Sequence, residues 1–178
     1  ENAEITITAF GFYDLYINGV RITKGILAPY ISNPEQVVVY DSYNIAPYLR
    51  EGKNVVGLIL GNGFTNNYGG RPWDFDKAPF RAAPKTAFCV EADGKEVFSS
   101  ADNIKTAPSP ILNDDYREGE FYDARREITG WNLPEFDDSA WQDAIPAETP
   151  KGRCVFADFE PIREYKRRKA VRVVPLKD

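Results

Sequence analysis

Ile5-Thr6-Ile7-Thr8, then Gly11, then Phe12-Tyr13-Asp14-Leu15-Tyr16-Ile17-Asn18-Gly19 decide how this chain folds. Ile and Thr alternate with period two, which puts the isoleucines on one face of a strand and the threonines on the other. Gly11 breaks the run, and a second strand-like run starts at Phe12. It closes on Asn18-Gly19, the dipeptide that most favours a two-residue hairpin turn. Arg21–Leu27 then reads as the returning strand, and Pro29 and Pro34 bracket a loop.

The same texture continues outward. Gln36–Tyr40 is apolar and β-branched, hence a buried strand. Ile45–Leu49 has room for one helical turn before Pro47 and Gly52 end it. Val55–Leu60 is apolar on both faces and reads as a central strand. Thr86–Ala92 and Glu96–Ser99 flank Asp93-Gly94 as a second hairpin. Past Pro108-Ser109-Pro110 the chain becomes more charged. Glu120–Arg125 and Val171–Val174 are strand candidates, and Asp137–Trp141 reads as a capped turn holding an indole. Trp131 and Trp141 read as core anchors. No repeat and no long amphipathic helix occurs. The pattern predicts a mostly antiparallel β-sandwich over residues 1–108, with 109–178 completing or flanking it and leading toward a neighbour.

Composition agrees with an all-β domain. Of 178 residues, 43% are hydrophobic and 13% aromatic, with 13 glycines and 13 prolines for turns. That suits one well-filled core. The net charge is −5, and the one basic run, Arg163–Arg172, reads as a solvated strand, so nucleic acid is not an expected partner. No apolar run approaches the roughly 18 residues of a membrane span. There is no start methionine or leader, and histidine and methionine are both absent. A segment of something longer is the expectation. Cys89 and Cys154 read as two separate buried thiols, with one disulfide as the alternative.

The absence of histidine removes nucleophilic triads and the usual zinc sites together. Paired carboxylates remain: Asp74 with Asp76, Asp114 with Asp115, Asp137 with Asp138. Glycoside hydrolysis needs two carboxyls facing each other about 5–9.5 Å apart, which neighbours along one strand or turn seldom achieve. No catalytic residue is therefore expected. The segment 61–84 is the exception to the strand pattern, and long irregular loops tend to be functional. Asn62, Phe64, Asn66, Asn67, Tyr68, Arg71, Trp73, Asp74, Phe75 and Asp76 mix rings that could stack on a sugar with groups that could meet its hydroxyls. The alternative is a loop whose Trp73 and Phe75 plug the end of the sandwich or a domain interface. No metal is expected, although Asp74 and Asp76 could contribute oxygens to calcium.

An ordered series of short motifs carries a family resemblance over nearly the whole chain. Phe12–Gly19, Leu27-Ala28-Pro29-Tyr30, Val39-Tyr40-Asp41-Ser42-Tyr43, Gly52-Lys53-Asn54 and Leu60-Gly61-Asn62-Gly63-Phe64 form its first part. Asn113-Asp114, Gly119–Arg125, Gly130-Trp131, Phe136–Trp141 and Pro161-Ile162-Arg163 follow. The series resembles the amino-terminal β-sandwich of bacterial α-L-rhamnosidases, family 78 of the glycoside hydrolases. The resemblance implies a jelly-roll of the galactose-binding type. It implies a parent enzyme that removes terminal α-L-rhamnose by inversion, with its carboxylates in a downstream (α/α) barrel. The barrel, the other β-domains and rhamnose-containing glycans would then be the partners. A glycan substrate implies secretion or the periplasm. Some related domains hold rhamnose through calcium, and their acidic-amide pair falls where this chain has Thr23-Lys24-Gly25. That substitution implies an architectural domain; an autonomous carbohydrate-binding module is the alternative.

Overall fold

A computed structural model describes residues 2–68, 74–172 and 174–175. Its strands are β1 (Ala3–Phe10), β2 (Phe12–Ile17), β3 (Val20–Arg21), β4 (Val37–Asn44), β5 (Val56–Gly61) and β6 (Lys85–Ala92). They continue with β7 (Lys95–Ser99), β8 (Lys105–Thr106), β9 (Ile111–Asp115), β10 (Gly119–Tyr122), β11 (Gln142–Asp143) and β12 (Arg153–Phe156). One sheet has the order β12-β4-β1-β6-β7 and a second the order β3-β2-β5, while β9–β10 and β8–β11 are two-stranded ribbons. The chain is an all-β sandwich, as its alternation predicts.

The core lies between the two main sheets because each inner face is apolar at every second residue. Ile5 sits opposite Tyr43 and Val90, and Ile7 opposite Asp41 and Phe88. From the other sheet, Leu15 pairs with Leu58 and Ile17 with Val56. Ile5, Ile7, Leu15 and Ile17 are all fully buried. Asn18 and Gly19 both adopt positive φ, 49° and 87°, as a two-residue hairpin turn requires.

Several sequence expectations need correction. The returning strand is only Val20–Arg21, because the Thr23 hydroxyl accepts the Leu15 N–H at 2.7 Å and takes the place of a ladder partner. β5 is an edge strand among the described residues, pairing only with β2. Its outer face is apolar for another reason: Trp131 covers Gly57, where a Cβ would come within 2.8 Å of the indole. Trp131 and Trp141 are half-buried and outside the core cluster. Trp131 packs edge-on against Tyr16, with centroids 5.4 Å apart, and so holds the later chain to the sandwich surface, while Trp141 packs edge-on against Phe136 within the later chain at 5.5 Å. Both cysteines are free. Cys89 is half-buried on the face opposite to Phe88 and Val90, and Cys154 is exposed on the edge strand β12. The strand expected at 120–125 ends at Tyr122, and Ala124–Arg126 forms a 3-10 turn capped by Asp123. No strand is assigned to the described residues of 171–174; Val173 lies outside them.

The later chain returns to both sheets. β12 runs parallel to β4, from Arg153 opposite Val37 to Phe156 opposite Tyr40. Beyond it, Ile162 bridges Ile26, and the Tyr30 hydroxyl donates to the Glu160 carbonyl at 2.6 Å.

A small polar cluster is buried with this core. Asp41 faces inward on β4, 8% exposed, and accepts a hydrogen bond from the Tyr13 hydroxyl at 2.7 Å. The Tyr43 hydroxyl lies 2.8 Å from that of Tyr13. Burial, followed by the neighbouring Tyr43 and Asp41, pushes the Tyr13 phenol far above its ordinary value of 10.0. Burial also raises Tyr43. The folded chain therefore keeps protons that the unfolded chain releases above pH 10, so stability is full below that pH and falls as the solution becomes more alkaline. Urea unfolding on both sides of pH 10 should show that fall. Tyr13→Phe should cost about 1–3 kcal/mol at neutral pH, by removing the donor to Asp41, and should flatten the alkaline slope. An unchanged slope would contradict this assignment.

Candidate functional site

The candidate site begins where β5 ends. Asn62 leaves the strand, and its side chain turns back on β9. Its backbone N–H donates to Asp114 Oδ2 at 2.7 Å, and its Nδ2 donates to Asp114 Oδ1 at 2.7 Å and to the Asp114 carbonyl at 3.1 Å. Asn66 Nδ2 donates to Asn62 Oδ1 at 2.6 Å. Asn67 is 1% exposed and donates through Nδ2 to Asp115 Oδ2 at 2.9 Å. The Tyr68 hydroxyl donates to Asn113 Oδ1. Asp115 Oδ1 meanwhile accepts the Arg117 and Glu118 N–H groups at 2.8 and 3.0 Å, shaping the turn into β10. Three consecutive residues of β9 thus receive the polar side chains of the loop one after another. A two-stranded ribbon such as β9–β10 is marginal alone; these charge-assisted bonds tie it to the sandwich.

The rest of the loop divides into an exposed acid and an apolar cluster. Asp74, at φ 47°, starts the Phe75–Lys77 turn, and its Oδ1 meets Lys77 Nζ at 3.0 Å in solvent. That carboxylate, first through its hydrogen bond, raises the Lys77 ammonium above its ordinary range. Asp76 is half-buried, and its buried Oδ1 has no hydrogen-bond partner among the described residues. Phe64 is the hub of the apolar part. Its ring centroid lies 6.2 Å from Phe12, 5.4 Å from Phe75 and 4.2 Å from Tyr116. Thr65 closes the loop by accepting the Ala82 N–H at 3.0 Å. Arg71 and Trp73, also named from sequence, lie outside the described residues.

Four candidates therefore keep company around β9: Asn62, Asn67 and Tyr68, which bond to acceptors at 113–115, and Asn66, which bonds to Asn62. Asp74 and Asp76 instead flank Phe75, whose ring packs against Phe64. The acceptors themselves were not among the sequence candidates for binding. Asp114-Asp115 could be seen only as an acid pair, because nothing local connects them to amides 48–52 positions away.

Calcium is a poor fit at residues 23–25. Thr23 Oγ1 is taken up by Leu15 N, and Lys24 Nζ donates to the Ser42 carbonyl at 2.6 Å and sits 4.8 Å from the Tyr43 ring centroid. The Gly25 carbonyl accepts from the Arg21 guanidinium at 2.8 Å. An ammonium and a guanidinium occupy the corner where oxygen ligands would be needed. Among the described residues, no three His, Cys, Asp or Glu side chains gather into a metal-holding group.

Comparison with known proteins places this architecture. The family described as Alpha-L-rhamnosidase N-terminal domain matches residues 1–166. An alpha-L-rhamnosidase of Formosa agariphila is 33% identical over 150 residues, which are 79% of this chain and 15% of that protein. One of Streptomyces avermitilis is 31% identical over 166 residues, 90% of this chain and 16% of that protein. Among solved structures, the alpha-L-rhamnosidase from Dictyoglumus thermophilum superposes with a TM-score of 0.80 at 37% identity, over 93% of this chain and 18% of that one. The Streptomyces avermitilis enzyme complexed with L-rhamnose gives 0.73 at 31% identity, over 85% of this chain and 15% of that one. This chain belongs to the alpha-L-rhamnosidase N-terminal domain family. It spans only 15% and 16% of the length of the two curated relatives above.

If the Asp114 carboxylate is the anchor of the loop, Asp114→Ala should release Asn62 and Asn66. Their amide hydrogen exchange is expected to accelerate, and global stability to fall by about 1–3 kcal/mol. Exchange at Asn62 that stays at the wild-type rate would contradict the anchoring role.

Proposed function

We propose that this chain is a non-catalytic accessory domain of an α-L-rhamnosidase, supporting a catalytic (α/α) barrel and other β-domains that act on terminal α-L-rhamnosides. The observation that carries the reading is the family match over residues 1–166 combined with relatives about six times longer. The side chains agree with an architectural role. Asp114 and Asp115 are engaged in holding the loop rather than facing one another across an open cleft. The ribbon they belong to carries Leu112, Phe121 and Tyr122 exposed, apolar surface that a larger assembly would cover.

A rhamnose-binding module is the second reading. It would rest on Tyr68 and Asp74, which are exposed, together with Arg71 and Trp73. In the favoured reading the domain works without a metal, since Lys24 and Arg21 place positive charge at residues 23–25. The glycan substrate makes secretion or the periplasm the expected location.

The isolated chain should hydrolyse p-nitrophenyl α-L-rhamnoside no faster than buffer, and its melting temperature should be the same in calcium and in chelator. Removing residues 1–166 from the full-length rhamnosidase should lower that enzyme's melting temperature. Hydrolysis above the buffer rate, or an unchanged melting temperature after the deletion, would overturn the proposal.

A further inference from the structure

Two segments far apart in sequence make one exposed apolar face. Ile26, Leu27, Tyr30 and Ile31 come from the loop after β3, and Phe159 and Ile162 from the chain after β12; each is 40–53% exposed. Their backbones are fixed to one another. Ile26 and Ile162 form an antiparallel bridge, with the Ile26 N–H donating to the Ile162 carbonyl at 2.9 Å, so both side chains leave the same side of the pair. The rings of Tyr30 and Phe159 lie 4.8 Å apart, and the Tyr30 hydroxyl donates to the Glu160 carbonyl. Glu160 and Arg163 pair at 2.8 Å along the border. An apolar centre held in place by backbone bonds and edged by charge is the anatomy of a protein–protein interface.

The chain leaves the sandwich at this same face. Residues 163–172 are all exposed, and the match to the N-terminal domain family ends at residue 166, four residues beyond Ile162. Four extended residues reach at most about 14 Å. The 166 residues matched in the Streptomyces avermitilis relative are 16% of that protein, so a parent of that length carries most of its chain outside this domain. The chain that comes next starts within reach of the apolar face, at an effective concentration on the order of millimolar. At that concentration an interface of only modest affinity stays closed.

From this we infer that the face formed by residues 26–31 and 159–162 seats the domain that directly follows this one in the parent rhamnosidase, which meets it with an apolar face of its own. That such a domain exists rests on the accessory-domain reading above; the choice of face rests on where the exposed side chains lie and where the chain departs. The exposed Leu112, Phe121 and Tyr122 of the β9–β10 ribbon are the competing face.

Hydroxyl-radical footprinting of the 178-residue chain and of the full-length parent compares the two faces directly. Phe88, 7% exposed, should stay unlabelled in both and so reports an intact core. Labelling of Tyr30 and Phe159 should fall roughly threefold or more in the parent, as rings do on entering a dry interface core. Equal labelling of these two rings in chain and parent would overturn the inference. If Phe121 and Tyr122 alone are then protected, the accessory reading stands with the ribbon as its docking face; if no ring is protected, both readings fall. The occupant is read separately in the parent, with a photo-cross-linker at the exposed position, Ile31→p-benzoylphenylalanine. A cross-link to the domain directly after residue 178 is expected, and a link to the catalytic barrel or between two copies would overturn the occupant.

Discussion

Gly11 joins the last residue of β1 to the first of β2, so the chain passes from one layer of the sandwich to the other in a single residue. The backbone there has φ 116°, a conformation that side chains resist. Space forbids them as well: a Cβ on Gly11 would stand 2.1 Å from the Gly61 carbonyl oxygen. Phe12 pairs with Gly61, and Phe10 with Lys85, so the corner sets the register of both sheets at once. With that register Ile5 and Ile7 face Leu15 and Ile17 across the core. A slip of one residue would turn each set outward.

The loops gathered at this corner follow from it. Gly63 packs against Gly11, where its own Cβ would lie 3.0 Å from the Gly11 backbone, so the chain leaving β5 must turn immediately. That turn directs Asn62 toward Asp114 and Phe64 toward Phe12 and Tyr116. The polar half of the loop is then fastened to the β9–β10 ribbon, and the apolar half forms the ring cluster around Phe64. Further along, Trp131 and β12 bind the later chain to one sheet each, and Ile162 bridges Ile26, so the chain is held to the sandwich as far as residue 162.

Sequence was most legible where one strand's own pattern was enough. The β1 and β2 alternation, the Asn18-Gly19 turn and the Asp93-Gly94 hairpin are local, and all three appear where expected. It was least legible where a distant segment decides a residue's surroundings. Val55–Leu60 reads as central because both faces are apolar, yet the second face is covered by Trp131, more than seventy positions away, rather than by another strand. The loop amides look available for a ligand because their acceptors at 113–115 lie beyond three intervening strands. Cys154 looks buried from its apolar neighbours, but the parallel pairing of β12 with β4 leaves it at an edge. In each case the local pattern gave the element and tertiary contact gave its role.

As a member of the alpha-L-rhamnosidase N-terminal domain family, the chain joins a β-sandwich to a loop whose amides are engaged with the β9–β10 ribbon. The claim on which the account stands is that the corner at residue 11 admits glycine only. Urea unfolding of Gly11→Ala, measured beside Gly52→Ala, tests it most directly. Gly52 also has positive φ, 85°, but has nothing within 4 Å of its would-be Cβ, so its substitution isolates backbone strain, about 1–2 kcal/mol. Gly11→Ala is predicted to add a packing cost of about 1–3 kcal/mol to that strain, or to abolish cooperative unfolding. Equal losses at the two positions would show that the sheets can part at this corner, and would contradict the account.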